Sequence, residues 1–467
     1  MKTTYKSKIV LLIALLSLAT SCNFLELESP NDLNADTFFK DANSAESALI
    51  GLYSSMQSTT YYGGNYLLIG EPLCGNSITG GFDNINIDEF GFQAVTPTNI
   101  IVEQMWYGIY NTIANANRLL DGLAQIKDPA FDADRKNEIE GQTRAIRAMA
   151  HFDLLRFFGE HWNNASSFGI PIASTVQKIG DVLPRSSVAQ NYTFILAELN
   201  EALNLVNQND RDQAFVNVAT VNALLARVYL YSKDYANAIT HAEAVINDGG
   251  FNLLATADYP SVFDSRKTTE SIFELAFDSQ NRSRYNSLTY SRPEALNTEV
   301  NFLLAESLAD FFVGRANDVR ADLTDFDPAN NDASIQPNGR TQKYRGESSE
   351  DSPAYIIRLA EMYLILAEAK GRATGLSDLN TLRVQRGLSA LAGGDVPTDT
   401  DFRNALLDEI KAEFNFEGHY YFDLARVQEI KPGGILDLES FRALLPIPLR
   451  ELTATKGQVI QNPGYAE

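Results

Sequence analysis

Four histidines, His151, His161, His241 and His419, are the whole imidazole supply of this 467-residue chain. None belongs to an HExxH pair, none faces a cysteine in a hydrolase-like context, and neither a phosphate-binding glycine loop nor a GxSxG elbow is present. The set nearest to a metal site is Glu417, His419 and Asp423 in "FEGHYYFD". Its spacing does not bring three ligands to one helical face, so the expectation is packing, with no metal and no cofactor. Carboxylate pairs such as Glu26/Glu28 and Glu350/Asp351 lie in polar segments, and sixty Asp and Glu residues generate such pairs by chance. Two carboxylates meeting from distant loops to hydrolyse a glycoside would leave no mark in the sequence, which keeps a hydrolase as the alternative to a non-enzyme.

Binding chemistry has more support. A sugar ring offers a face of slightly positive C–H groups and an edge of hydroxyls, and it is gripped by an aromatic face with amide, carboxylate or guanidinium partners. Such residues gather in two stretches. The first holds Tyr61, Tyr62, Asn65 and Tyr66 in "TTYYGGNYLL", then Phe82, Asp83, Asn84, Asn86 and Phe92 in "GGFDNINIDEFGF". The second holds Arg282, Arg284, Tyr285, Asn286 and Tyr290. The competing reading is that these aromatics only pin long loops onto the rest of the fold. Loop aspartates Asp83, Asp88, Asp278 and Asp318 leave a structural calcium open.

A third kind of chemistry is suggested by Cys22, which ends "LLSLATSC" and has only Cys74 for company. Lys2, Lys6 and Lys8 precede the apolar run Ile9 to Leu18, which is an export-signal pattern and too short to span a bilayer as a mature helix. Ala19, Thr20 and Ser21 before Cys22 resemble a lipobox, although Leu is commoner than Ala at the third place before the cysteine. Residues 1–21 therefore read as a lipoprotein signal peptide, with Cys22 as the lipidated N-terminus and 22–35 as a tether. The alternative is an ordinary cleaved signal with an incidental cysteine. With one other cysteine, no intrachain disulfide is available to the exported chain. The formal charge of −22 becomes −25 once three lysines leave with the signal. So acidic a chain is unsuited to nucleic acid or to docking on anionic lipid by charge, and it disfavours polyanionic ligands unless Arg282 and Arg284 line the site.

The elements that must position these loops are helical. Tyr192, Ile195, Leu196, Leu199, Leu203 and Val206 form a stripe of 3.6-residue period, and Val221, Leu224, Leu225, Val228 and Tyr229 form another. After a turn at "YSKD", Tyr235, Ala238, Ile239, Ala242, Val245 and Ile246 make a third, stopped by "NDGG". Ala223, Ala226 and Ala238 let the last two helices approach closely, as in a tetratricopeptide-like hairpin. Further helices are expected at Ala45 to Met56, Val102 to Leu123, Ile139 to Phe158, Ala354 to Ala373 and Phe402 to Phe416. "SIFELAF" alternates like a short strand. Between the helices lie irregular stretches at 58–98, 251–293 and 326–353, the last of them polar. The fold class is mostly α: tetratricopeptide-like helix pairs supporting an irregular, loop-rich part with a few short strands. Residues 36–250 form its N-terminal helical part and 251–467 its C-terminal part.

Several segments together resemble the SusD/RagB family of nutrient-binding outer-membrane lipoproteins. They include "SPNDLNADTFFKDANSAESALIGLYSSM", "WYGIYNTIANANRLLDGL", "EGQTRAIRAMAHFDLLRFFG", "IIRLAEMYLILAEA", "LNTLRVQRGL", "EIKAEFNFEGHYYFDLAR", "LLPIPLREL" and "QNPGY". The resemblance implies a cell-surface protein, lipid-anchored in the outer membrane, that passes an oligosaccharide to a SusC-type TonB-dependent transporter or, in RagB-like members, a peptide. It also implies a pocket drawn from the loop before the helix near Val102 and from the segment after the mid-chain strand. A neutral oligosaccharide is the expected ligand, a peptide the next, and a protein-interaction scaffold the third. One departure is that Trp106 and Trp162, the only tryptophans, fall at motif positions that look structural, which leaves Tyr and Phe to form any stacking platform.

Overall fold

The apolar stripes become helices that start on side-chain caps. The computed structural model describes residues 38–79, 84–178, 180–207, 210–284, 302–326, 339–344 and 351–466. In chain order its main helices are α1 (Ala42–Met56), α2 (Ile85–Gly91), α3 (Ile100–Gln125), α4 (Ala133–Phe158), α5 (Val188–Leu205), α6 (Val218–Tyr231), α7 (Tyr235–Asn247), α8 (Glu306–Val313), α9 (Leu359–Gln385), α10 (Asp399–Phe414) and α11 (Tyr420–Arg426). Asp41, Ser187 and Thr398 close capping boxes at the starts of α1, α5 and α10, satisfying backbone N–H groups that the first helical turn leaves open.

Neighbouring helices pack as antiparallel pairs, α4 against α5 and α6 against α7. The α6–α7 turn is three residues long, with Lys233 at φ 67° and Asp234 capping α7, and Gly249 at φ 75° follows the end of α7. Ala223, Ala226 and Ala238 are fully buried, so no side chain holds this pair apart. Helix α9 packs on α7, α6 and α10, which ties the C-terminal half to the helix pairs. One apolar core includes residues from α1 through α11. Among the described residues no helix is long and apolar enough to cross a membrane.

Two expectations are corrected. Ala354–Arg358 is a strand, not the first turn of a helix, and it pairs antiparallel with Ser271–Leu275, the strand read from "SIFELAF". All ten residues of this ribbon are buried, and a short apolar run buried on both faces has no period by which to tell strand from helix. Helix α9 then continues past Ala373 to Gln385, across a break at Gly371. The stretch 58–98 is also less irregular than expected. It holds helical turns at Asn65–Leu68 and Gly70–Leu73, the strand Ser77–Thr79 and α2.

Candidate ligand-binding site

The turn after α1 is built from close backbone approaches. Tyr61 and Gly63 donate their N–H groups to Ser58 O, each at 2.9 Å, and Asn65 donates to Thr59 O at 2.9 Å. A Cβ on Gly63 would lie 2.1 Å from Gln57 O, so the turn requires glycine there. Its aromatic residues point inward. Tyr61, Tyr62 and Tyr66 are 0, 2 and 2% exposed, and all three hydroxyls donate to the Asp153 carboxylate on α4, Tyr62 and Tyr66 at 2.7 Å. Arg156, one helical turn further on, donates to the same carboxylate at 2.6 Å, and its guanidinium lies 4.5 Å from the centre of the Phe422 ring. Burial, reinforced by the Asp153 charge, pushes the Tyr61 and Tyr62 hydroxyls well above the ordinary tyrosine range, so they remain donors. The expectation that Tyr61, Tyr62 and Tyr66 offer stacking faces is therefore corrected: they anchor the loop.

That anchoring sets the loop beside its partner. Arg284 N donates to Gly63 O at 2.8 Å, Asn281 Nδ2 to Gln57 Oε1 at 2.7 Å, and Gln57 Nε2 to Ala276 O at 2.5 Å. Beyond these contacts, Ser77–Thr79, midway along the first stretch, pairs antiparallel with Phe302–Leu304, which follows the second in sequence. The two candidate loops are thus one structural unit.

On this unit the remaining candidates differ in what they leave free. Asn84 caps α2, accepting from Asn86 N at 3.2 Å, while Asn86 Oδ1 accepts from Ile100 N at 3.0 Å and clamps α2 to the start of α3. Asn65 is half-buried, and Arg282 and Arg284 are exposed. Phe92, 74% exposed, follows α2 and shares the segment 78–100 with the exposed side chains of Ile78, Ile85 and Ile100. The described candidates thus include one open aromatic ring, two exposed arginines and a half-buried amide. Phe82, Asp83, Tyr285, Asn286, Tyr290 and the lipidation candidate Cys22 lie outside the described residues.

The charged clusters have positional roles. Glu417 accepts from Lys343 at 2.7 Å and from Arg358 at 2.8 Å, Asp423 pairs with Arg426 at 2.7 Å, and His419 stacks on Phe414 at 4.4 Å. They thus serve three different partnerships. Asp318 is held by Arg315 and Arg320, and Asp278 caps a turn by accepting from Gln280 N and Asn281 N. His151 Nε2 accepts from Ala173 N at 3.2 Å, and burial lowers its pKa to about 4, so it is neutral. Among the described residues no group of three or more His, Cys, Asp or Glu side chains is placed to hold a metal ion.

Trp106 is 1% exposed, as its motif position suggested. Trp162 differs, because it is half-buried and lines a cavity of about 450 Å³ with Phe168 and Phe441. Sequence reasoning missed this group since its members stand almost 280 residues apart.

Helix pairs carrying a joined pair of surface loops define a tetratricopeptide-like binding scaffold. A SusD-like family model described as starch-binding and associating with the outer membrane matches residues 23–230, and the SusD family model matches 325–465, about three quarters of the chain together. The chain belongs to the SusD/RagB family. A SusD-like protein of Formosa agariphila is 26% identical over 517 aligned positions, which cover 98% of this chain and all of the relative. The crystal structure of a SusD superfamily protein from Bacteroides thetaiotaomicron is similar with a TM-score of 0.77 at 25% identity, over 90% of this chain and 99% of that one. A laminarin-binding SusD-like protein is similar in fold, with a TM-score of 0.76 at 23% identity, over 91% of this chain and 100% of that one.

Proposed function

We propose that this chain is a non-enzymatic, lipid-anchored protein of the outer cell surface that binds a neutral oligosaccharide and hands it to a SusC-type TonB-dependent transporter. Family membership supports the carbohydrate class, and the laminarin-binding relative is one member whose ligand is a neutral glucan. The observation that carries the reading is the union of the two loops at Gly63 and Arg284, with Phe92, further along the first of them, open to solvent. An aromatic face with neutral amides suits a sugar, and a net charge of −22, or −25 once Lys2, Lys6 and Lys8 leave with the signal, repels polyanions within a Debye length, about 8 Å at physiological salt.

Calorimetric titration of the full chain in detergent micelles with laminarihexaose, a uronic-acid oligomer and a mixed peptide digest tests the ligand class. Saturable binding of the neutral glycan, weakened by Phe92→Ala, is the expected result, and binding of peptides alone would replace the class. Cys22→Ser should release the protein from the outer-membrane fraction, and a variant that still sediments with that membrane would remove the anchor.

A further inference from the structure

The cavity beside Trp162 has the chemistry expected of the loops, and it shares no residue with them. Trp162, Phe168 and Phe441 present three half-buried rings to about 450 Å³ of space, within the range of about 300–1,000 Å³ typical of small-molecule sites. Around them stand Glu160, Gln428 and Ser440. Among the described residues, the side chains of these three make no hydrogen bond or ion pair, and the Trp162 indole N–H makes no hydrogen bond. Aromatic faces bordered by the half-buried Glu160 carboxylate, whose charge also acts on Arg185, by the exposed Gln428 amide and Ser440 hydroxyl, and by the indole N–H meet the apolar face and hydroxyl edge of a pyranose.

One further feature distinguishes this cavity from an accidental hollow. Trp162 is fixed from behind, since its ring packs edge-on against the buried His161 at 5.0 Å and its carbonyl accepts from Lys233 Nζ at 2.9 Å. Gln428, at φ 59°, is the left-handed residue that closes α11, where Glu429 N donates to Leu424 O at 2.9 Å, and this cap sets its exposed side chain at the cavity rim. Gln428 also borders a second cavity, of about 580 Å³, lined by Tyr235. That second cavity is lined by Lys233, Lys370, Arg372, Arg403 and Arg426 against Glu368 and Asp399, so its walls are basic. At the first cavity Glu160 and Lys431 balance each other in sign. The lining of the first cavity thus carries no net charge and suits a neutral unit.

We propose that the Trp162 cavity is a second saccharide site, which seats a neutral hexose unit of an oligosaccharide independently of the loop site. The inference rests on the proposed function for its ligand class. The test uses the wild-type full chain in detergent micelles, in which acrylamide quenching of indole emission reports Trp162, because Trp106 is buried. Laminarihexaose or cellohexaose at millimolar concentration should protect the emission saturably. Trp162→Ala should weaken the corresponding calorimetric event about tenfold, whereas Phe92→Ala should leave the protection unchanged. Glycan binding by calorimetry with quenching unaltered would overturn the second site and leave the proposed function standing. Absence of glycan binding altogether would overturn both. Protection by a peptide digest and not by glycans would overturn the saccharide class of this cavity.

Discussion

Asp153→Asn should be among the most damaging single substitutions that change no volume. The native carboxylate serves four donors, with Tyr61 and Tyr62 on one oxygen and Tyr66 and Arg156 on the other. An amide in its place has one acceptor oxygen and one donor nitrogen. Turning the nitrogen toward Arg156 would set donor against donor, so it must face Tyr61 and Tyr62, which then lose their acceptor. Arg156, 2% exposed, keeps its charge and loses its counter-charge. Removing one partner of a buried ion pair costs about 3–5 kcal/mol, and because the amide preserves shape we expect the lower end, about 3 kcal/mol. Tyr61→Phe, which leaves the carboxylate with three donors, should cost about 1 kcal/mol. Urea unfolding followed by far-ultraviolet circular dichroism measures both, and in the Asp153→Asn background the Tyr61→Phe cost should shrink, because its acceptor is already gone. A loss below about 1 kcal/mol for Asp153→Asn, or strict additivity of the two changes, would show that the tyrosines are buried for apolar area alone.

Gly63→Ala would bring a Cβ to 2.1 Å from Gln57 O and 2.9 Å from the Ser58 carbonyl carbon, so the turn must open. We expect a loss of about 2 kcal/mol and faster amide exchange at Arg284, whose N–H donates to Gly63 O; unchanged exchange there would separate the two loops. Glu71→Gln tests a pH dependence. Burial raises the Glu71 carboxyl from 4.5 to about 7, although Asn76 Nδ2 at 2.9 Å, the backbone N–H groups of Phe416 and Gly418, and the Lys343 charge oppose the rise. Folded Glu71 therefore keeps its proton where the unfolded chain has lost it. Its contribution is fully present below pH 4.5 and is lost as pH rises through about 7, a change of about 3 kcal/mol. The variant should lack that slope, since the buried Asn76 Oδ1, which has no partner, can accept from the new amide once Asn76 flips. Equal pH profiles for both proteins would refute the assignment.

The helices were legible because period and caps agree. The stripe from Tyr192 falls on α5, which ends one residue before Val206, and "NDGG" stops α7 where a glycine at positive φ is needed. Ala354–Arg358 was not legible as a strand, because its partner Ser271–Leu275 lies some eighty residues earlier and the pairing, not the local pattern, decides between two structures for an apolar run. The tyrosines were misleading for a related reason. A Tyr is as useful in a core as on a surface if its hydroxyl finds a partner, and that partner, Asp153, sits in a helix whose sequence marks it only as polar. The Trp162 cavity stayed hidden because concavity arises only when the segments after α4 and α11 meet.

Lys343 shows the same limit for charge, and it bears on what the surface presents to a ligand. It lies in a stretch that reads as polar, yet it is 1% exposed and donates to Glu417 and to Glu413 O. It joins a buried network in which Arg320 reaches Asp318, Glu409 and Glu413, while Arg358 and Arg386 both reach Glu270 and Glu413. Burial alone would raise the Glu413 carboxyl, but Arg386 and Arg358 hold it well below the ordinary range, so it stays ionised. Such clusters contribute little net stability over a well-packed apolar core, although breaking them is costly. Each cation buried here takes an acid with it, so the cluster leaves the net charge nearly unchanged while withdrawing arginines from the surface. The acidic excess of the chain, 60 Asp and Glu against 38 Lys and Arg, is therefore expressed by the solvent-facing residues. A ligand approaching the proposed sites meets this acidic excess, offset among the described residues by cations such as Arg282, Arg284, Lys431 and Lys233. Neutral chains cross that field without cost and polyanions do not, so the buried network supports the proposed preference for an uncharged glycan.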